Sequence, residues 1–208
     1  MLELLAPAGS MDALRAAVQN GANAVYLGCG SFNARQSAKN FTLDTLSEAV
    51  KYCHIRGVAV HLTVNTLVSD REMPKLEELI RRAAECGVDA FIVQDLGVVQ
   101  LCRQIAPQIP VHGSTQLTVH SLDGVRMCAA LGIQRVVLSR ELSREEIRYI
   151  CANSPLKLRF SASGPCVCAI PASAICPASS AAGPATGAAA PSPAARATAT
   201  PTGRTSTP

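Results

Sequence analysis

Between residues 41 and 95 the apolar positions of this chain write one pattern almost twice. Residues 43–56 carry apolar side chains at helical spacing until Gly57 interrupts them, and residues 58–64 follow as Val-Ala-Val-His-Leu-Thr-Val, ending in Asn65 and Thr66. Residues 75–86 repeat the helical spacing, Gly87 interrupts it, and the apolar run 88–93 ends in Gln94 and Asp95. A helix closed by glycine and followed at once by a short apolar strand is the repeating unit of a parallel α/β sheet.

The same alternation extends both ways. Residues 2–6 read as a first strand closed by Pro7-Ala8-Gly9. Ser10 is an N-cap for a helix over 11–19, whose apolar face is Met11, Leu14, Ala17 and Val18. Residues 24–27 form a second strand, and a long polar loop (28–40) containing Arg35 leaves it. Ser69 and Glu72 have capping-box spacing ahead of the third helix, and Ser143 and Glu146 repeat it ahead of the sixth. Further helices are predicted over 96–105, 123–131 and 145–151, and further strands within 111–116 (a strand and its exit loop), at 135–138 and starting over 156–160.

Seven strands and six intervening helices in strict alternation predict an α/β fold: an incomplete (β/α)8 TIM-like barrel lacking its last part. The strand runs are short and nearly continuous in apolar residues, as strands buried on both faces require. The competing architecture is an open doubly wound sheet. Its first turn usually carries Gly-x-Gly-x-x-Gly, whereas this one reads Ala-Pro-Ala-Gly-Ser, so the barrel is favoured.

Composition divides the 208 residues in two. Up to Arg159 the chain mixes aliphatic residues with both signs of charge. From Ser161 onward it has no Asp, Glu, Lys or aromatic residue, and Arg196 and Arg204 are the only charges. The segment 161–208 therefore reads as a disordered Ala/Pro-rich tail following a barrel domain over 1–160. The net charge of +4 is too small to argue for nucleic-acid binding by bulk electrostatics. No apolar run is long enough to span a membrane, and the N-terminus lacks the basic region of a signal peptide, so a cytoplasmic protein with no membrane partner is expected. Of nine cysteines, six (Cys29, Cys53, Cys86, Cys102, Cys128 and Cys151) stand singly in or beside regular elements and read as small buried apolar residues.

In a parallel barrel the functional groups lie where strands end. The residues there are Asn65, Gln94, Asp95, Ser114, Thr115, Gln116, Arg140 and Glu141, with Arg35 on the second loop. Amides offer donors and acceptors to a polar ligand, and arginine can hold a carboxylate or phosphate. Taken singly, Asp95 and Ser114 fit helix caps or loop hydrogen bonds equally well. As a ring of strand ends facing one mouth they form a candidate ligand site. His61 and His112 fall inside strands and read as core residues. No Ser-His-Asp, Cys-His or His-Glu-x-x-His arrangement is present, so no catalytic residue and no metal ligand is assigned.

Six runs together resemble peptidase family U32, the collagenase-like proteases: Leu-Leu-Ala-Pro-Ala-Gly-Ser (4–10), Gly-Ala-Asn-Ala-Val-Tyr-Leu-Gly (21–28), Thr-Val-Asn-Thr-Leu (63–67), Ile-Val-Gln-Asp-Leu-Gly (92–97), His-Gly-Ser-Thr-Gln (112–116) and Arg-Val-Val-Leu-Ser-Arg-Glu-Leu (135–142). The resemblance covers residues 2–159. It implies a barrel-type domain in a family whose better-understood members resemble proteins that hydroxylate tRNA, ribosomal RNA or a ubiquinone precursor. Some of those bind an iron–sulfur cluster through four cysteines. An RNA or small-molecule partner follows from the resemblance; an oligomeric state does not.

Beyond residue 160 the resemblance stops in a particular way. The family continues with a run close to Tyr-Ser-Gly-Gln-Cys-Tyr-Leu-Ser. In GC-rich codons, read one base later, that run becomes Ile-Pro-Ala-Ser-Ala-Ile-Cys-Pro, the residues at 170–177. The same shift relates the family's next stretch to 181–195. The tail is therefore read as out-of-frame translation, beginning between Phe160 and Cys166. On that reading Cys166, Cys168 and Cys176 are no metal motif, and the family cysteines correspond to Val167 or Ala169, Ala174, Ala190 and Ala194. No cofactor is expected in this chain, and a missing eighth strand is expected to leave two unpaired sheet edges. Three functions follow as alternatives: a truncated, inactive relative of an RNA- or quinone-hydroxylating protein, a collagenase-like peptidase, or a non-enzymatic barrel remnant.

Overall fold

The computed structural model describes residues 3–34, 40–163 and 166–170. The strands are β1 (Glu3–Pro7), β2 (Ala24–Gly28), β3 (Ala59–Val64), β4 (Ala90–Val93), β5 (Val111–Gly113), β6 (Arg135–Val137), β7 (Lys157–Ser163) and β8 (Cys166–Ile170). The helices between them are α1 (Met11–Gln19), α2 (Leu43–His54), α3 (Met73–Cys86), α4 (Leu96–Ile105), α5 (Leu122–Ala130) and α6 (Arg144–Asn153). β1 to β7 pair in chain order, each parallel to the next, which is the architecture the apolar pattern predicts.

The expected pair of open edges is absent. β8 lies antiparallel between β7 and β1 and closes the ring. Its register sets Leu4 beside Cys168, and Phe160 beside Cys168 on the other side. Only two residues separate β7 from β8, so no crossover helix fits there and the closing strand must run back antiparallel. The physical drive is the row of backbone N–H and C=O groups that an open β1 and β7 would leave unpaired. Residues 171–208 lie outside the described residues, and the out-of-frame reading of most of the tail lies there with them.

Strand periodicity sorts the side chains into two layers. Val25, Leu27, Val60, Leu62, Val64, Phe91, Val93, Val111, Val136, Leu138 and Leu158 face outward. They pack against Leu14, Leu46, Val50, Leu76, Ile80, Val98, Cys102, Val125 and Ile150 on the surrounding helices. Each such side chain, fully buried, contributes about 1.5–3 kcal/mol. A second, smaller cluster of Leu5, Ala24 and Ile92, with Tyr26 and Ala59 against it, forms the apolar part of the ring's interior.

Local chemistry sets the helix boundaries. Ser10, Asp95, Ser121 and Ser143 cap α1, α4, α5 and α6 through side-chain oxygens that accept backbone N–H groups. The box at Ser143 and Glu146 forms as predicted, and Thr42 with Thr45 makes a second that the Ser/Glu pattern does not flag. The box expected at Ser69 and Glu72 does not cap α3. Glu72 accepts from the Ser69 N–H at 3.0 Å and from its hydroxyl at 2.6 Å, while the helix begins later at Met73 with Pro74 in its first turn. Proline's fixed φ favours that start. Gly87 ends α3 at φ 85°, a left-handed conformation that only glycine adopts without cost. Among the described residues no helix is long and apolar enough to cross a membrane.

A chain ending at Ser163, without β8, is expected to aggregate at a lower temperature on heating than the 208-residue chain. Equal onset temperatures by light scattering would show that β8 does not protect the edges.

Candidate functional site

A cavity of about 240 Å³ opens at the C-terminal ends of the strands. Leu5, Ile92, Val137 and the ring of Tyr26 line it deep in the barrel, and Asn33, Asn40, Asn65, Thr63, Ser114, Thr115, Gln116 and Arg140 supply its polar groups. The alternation of each strand produces this layering. On β3, His61, Thr63 and Asn65 share the inward face; on the β5 segment, His112 and Ser114 do.

Of the predicted site residues, Asn65, Thr115, Gln116 and Arg140 come together here, with Ser114 among them. Gln94 is half-buried and does not line the cavity. Asp95 is the cap of α4: its Oδ1 accepts the Gly97 N–H at 2.7 Å, and its Oδ2 accepts the Val68 N–H at 3.2 Å. Glu141 turns to the Ser139 hydroxyl in a separate shallow cleft with His120 and Glu146. That hydrogen bond holds the Glu141 carboxyl below the usual range. Arg35 lies outside the described residues.

Asn33, Asn40, Thr63 and Tyr26 are additional lining residues. Asn33 and Asn40 belong to the long polar loop after β2, whose length was the available signal. The neck of that loop is tied by Phe41 N–H to Gly28 C=O (3.0 Å) and Gly30 N–H to Phe41 C=O (3.2 Å). Asn33 is buried against Gly28 so closely that a Cβ there would sit 2.5 Å from Asn33 Cγ. The Ala34 N–H donates to Asn65 Oδ1 at 3.1 Å, joining the loop to the end of β3.

Toward the opposite end of the barrel from the mouth lies a charged layer. Glu3 accepts from Arg135 Nη1 at 2.9 and 3.0 Å and pairs with Arg159, which is fully buried. Arg159 Nη1 also lies 3.1 Å from His61 Nδ1 and 3.4 Å from His112 Nδ1. An arginine only donates, so both Nδ1 atoms accept and both rings carry their proton on Nε2. Burial, then the Arg159 charge, lowers His61 to about 3. Burial, His61 and Arg159 hold His112 well below its ordinary value. Burial pushes Glu3 upward, but Arg159 and Arg135 outweigh it and keep the carboxyl below its usual range. Burial and Arg135 bring Arg159 down to about 10. His61 and His112 are thus hydrogen-bonded core residues, as the sequence reads them.

The six cysteines with described side chains are scattered, and five are buried. Burial pushes Cys29 and Cys53 up to about 11 and Cys102 up to about 12, so they are neutral thiols. No three metal-ligating side chains gather among the described residues. The described side chains offer no ligand set for an iron–sulfur cluster.

A family profile described as Peptidase family U32 matches residues 9–188. The chain belongs to peptidase family U32. It is 39% identical to the tRNA hydroxylation protein P of Helicobacter pylori over 80% of this chain and 42% of that protein. It is 36% identical to the 23S rRNA 5-hydroxycytidine C2501 synthase of Escherichia coli over 76% of this chain and 24% of that one. The chain therefore spans less than half the length of either relative. The solved structure of the U32 peptidase Mk0906 matches with a TM-score of 0.62 at 17% identity, covering 76% of this chain and 67% of that one. This last likeness concerns the fold.

Two expectations follow. Both interior histidines are neutral when folded and take up a proton on unfolding below their ordinary value of about 6.5. Stability should fall as pH drops from about 6.5 toward 3, by up to ~1.4 kcal/mol per pH unit for each histidine. Glu3, depressed in the folded chain, adds a loss in the same direction at the acid end. Urea midpoints across this range should flatten in a His61→Gln/His112→Gln variant; an unchanged slope would refute the assignment. Gly28→Ala should cost about 1–3 kcal/mol of stability, because Asn33 must leave its seat. A wild-type urea midpoint for that variant would show that the seat gives way freely.

Proposed function

We propose that this chain is the base-binding barrel of a U32-family protein whose intact form takes part in hydroxylating tRNA, ribosomal RNA or a ubiquinone precursor, with RNA the favoured target. The cavity carries this reading. An apolar interior beneath amides, hydroxyls and one guanidinium suits a flat heterocycle inserted edge-first, with Arg140 at the rim placed for a phosphate. The names of the two relatives support the same target class, and a cytoplasmic location is consistent with action on RNA.

Peptide hydrolysis is less well served. Among the described lining residues there is no Cys, His, Asp, Glu or Lys. Ser114 has no general base on its hydroxyl; its Oγ accepts the Gln116 N–H at 3.3 Å, and the nearby His112 Nδ1 is taken by Arg159. A serine without an adjacent base is a weak nucleophile.

The 208-residue chain itself is proposed to be inactive in hydroxylation and to hold no cofactor, because its tail reads as out-of-frame sequence in which alanine or valine stands where the family carries its cluster cysteines. The test compares this chain with a gene restored to the family frame. Both would be expressed in a strain lacking tRNA hydroxylation protein P, and the tRNA nucleosides analysed by mass spectrometry. The hydroxylated nucleoside is expected to return only with the restored frame. Its absence there, together with gelatin cleavage abolished by Asn65→Ala, would overturn the proposal in favour of a peptidase.

A further inference from the structure

The charged layer at the far end of the barrel runs out of acceptors before it runs out of donors. Arg135 gives Nη1 to both oxygens of Glu3, at 2.9 and 3.0 Å. Arg159 gives Nη2 to the same carboxylate and Nη1 to the Nδ1 atoms of His61 and His112. With those acceptors used, Nε–H of Arg135 and Nε–H of Arg159 are buried without a hydrogen-bond partner among the described residues. Arg159 is wholly enclosed. The two guanidiniums meet at one oxygen, Glu3 Oε1, so their unpaired groups belong to one cluster.

The charges do not balance either. Two guanidiniums against one carboxylate leave a net charge of +1, because both histidines are neutral. Lys157, two residues before Arg159 on the same face of β7, adds positive potential and relieves nothing. A buried charge without a counter-charge is strongly unfavourable. Water satisfies an N–H group but not the charge, whereas an anion does both. The layer is not sealed: the side chains of Arg135 and Glu3 are 13% and 30% exposed. An opening that narrow suits a small ion, and a doubly charged phosphate or sulfate would exceed the single charge to be balanced.

We infer that this end of the barrel is a binding site for a small monovalent anion of the chloride class, seated against the Arg135 Nε–H with Arg159 supplying the second positive charge. The site lies apart from the strand-end cavity and does not depend on what that cavity takes.

The probe is chloride itself. Urea unfolding of the 208-residue chain at neutral pH is followed in mixtures of sodium chloride and sodium gluconate held at one total concentration, so that screening is constant. Once chloride exceeds its Kd, each tenfold rise is expected to raise the folding constant roughly tenfold, as one-site linkage requires. Arg135→Met removes both the surplus charge and the Nε–H, and leaves Glu3 paired with Arg159; its stability should not respond to chloride. Arg135→Lys keeps the charge beside Glu3 but lacks the Nε–H, and serves if the methionine variant does not fold. Its Kd for chloride is expected to rise about tenfold, the factor for one charge-assisted hydrogen bond. Wild-type stability that is equal in every mixture overturns the inference and leaves the two Nε–H groups to water. A chloride response of wild-type strength in whichever variants fold places the ion elsewhere and overturns it equally.

Discussion

Glu3 holds two guanidiniums at once, and the interior of the barrel is arranged around that fact. It is an early residue of β1, yet its partners come from β6 and β7, more than a hundred residues later. Arg159 then reaches His61 on β3 and His112 on β5. One connected group thus pins five of the eight strands. Buried charges are costly unless paired, and here two arginines share one carboxylate. Burial first, and then the excess positive charge, keeps both histidines neutral, so they accept from Arg159 rather than repel it. Arg135 and Arg159 each retain a buried Nε without a partner, a further cost of holding this layer inside the barrel.

Above this layer the ring changes character twice. Leu5, Ile92 and Val137 form an apolar band, and beyond it the strand ends turn polar. The charged layer fills the far end and the mouth is left open, so the site faces one way only. The cavity opens at the C-terminal ends of the strands, the end at which parallel barrels carry their sites. Asn65 and Ala34 tie the β2 loop to β3, and the tight seat of Asn33 on Gly28 fixes the loop's near half.

Closure of the ring by β8 has a different basis. The other parallel strands arrive by way of a helix, whereas β8 follows β7 after two residues and runs the other way. Its pairing is made by the backbone, which any residue except proline offers in full. A segment counted with the tail on composition therefore completes the sheet, and its short apolar run, Cys-Val-Cys-Ala-Ile, is one that a strand can use.

Much of this architecture was legible in the sequence, because parallel-barrel elements are local. The helical spacing up to Gly87, the apolar run to Val93 and the Ser143–Glu146 box need only near neighbours to declare themselves. The site was half legible for the same reason. Asn65, Thr115, Gln116 and Arg140 follow strands directly, and position alone points them at the mouth. Asp95 and Glu141 have the same position, and local hydrogen bonds draw them away to a helix cap and a serine. Asn33 and Thr63 were hidden because their roles depend on a loop folding back and on a hydroxyl bonding across to the next strand. Local sequence determined the elements, their order and the end of the barrel at which polar strand ends gather. Only the tertiary structure decided that Glu3 meets Arg159 and that β8 closes the ring, because those contacts join residues that no local pattern connects.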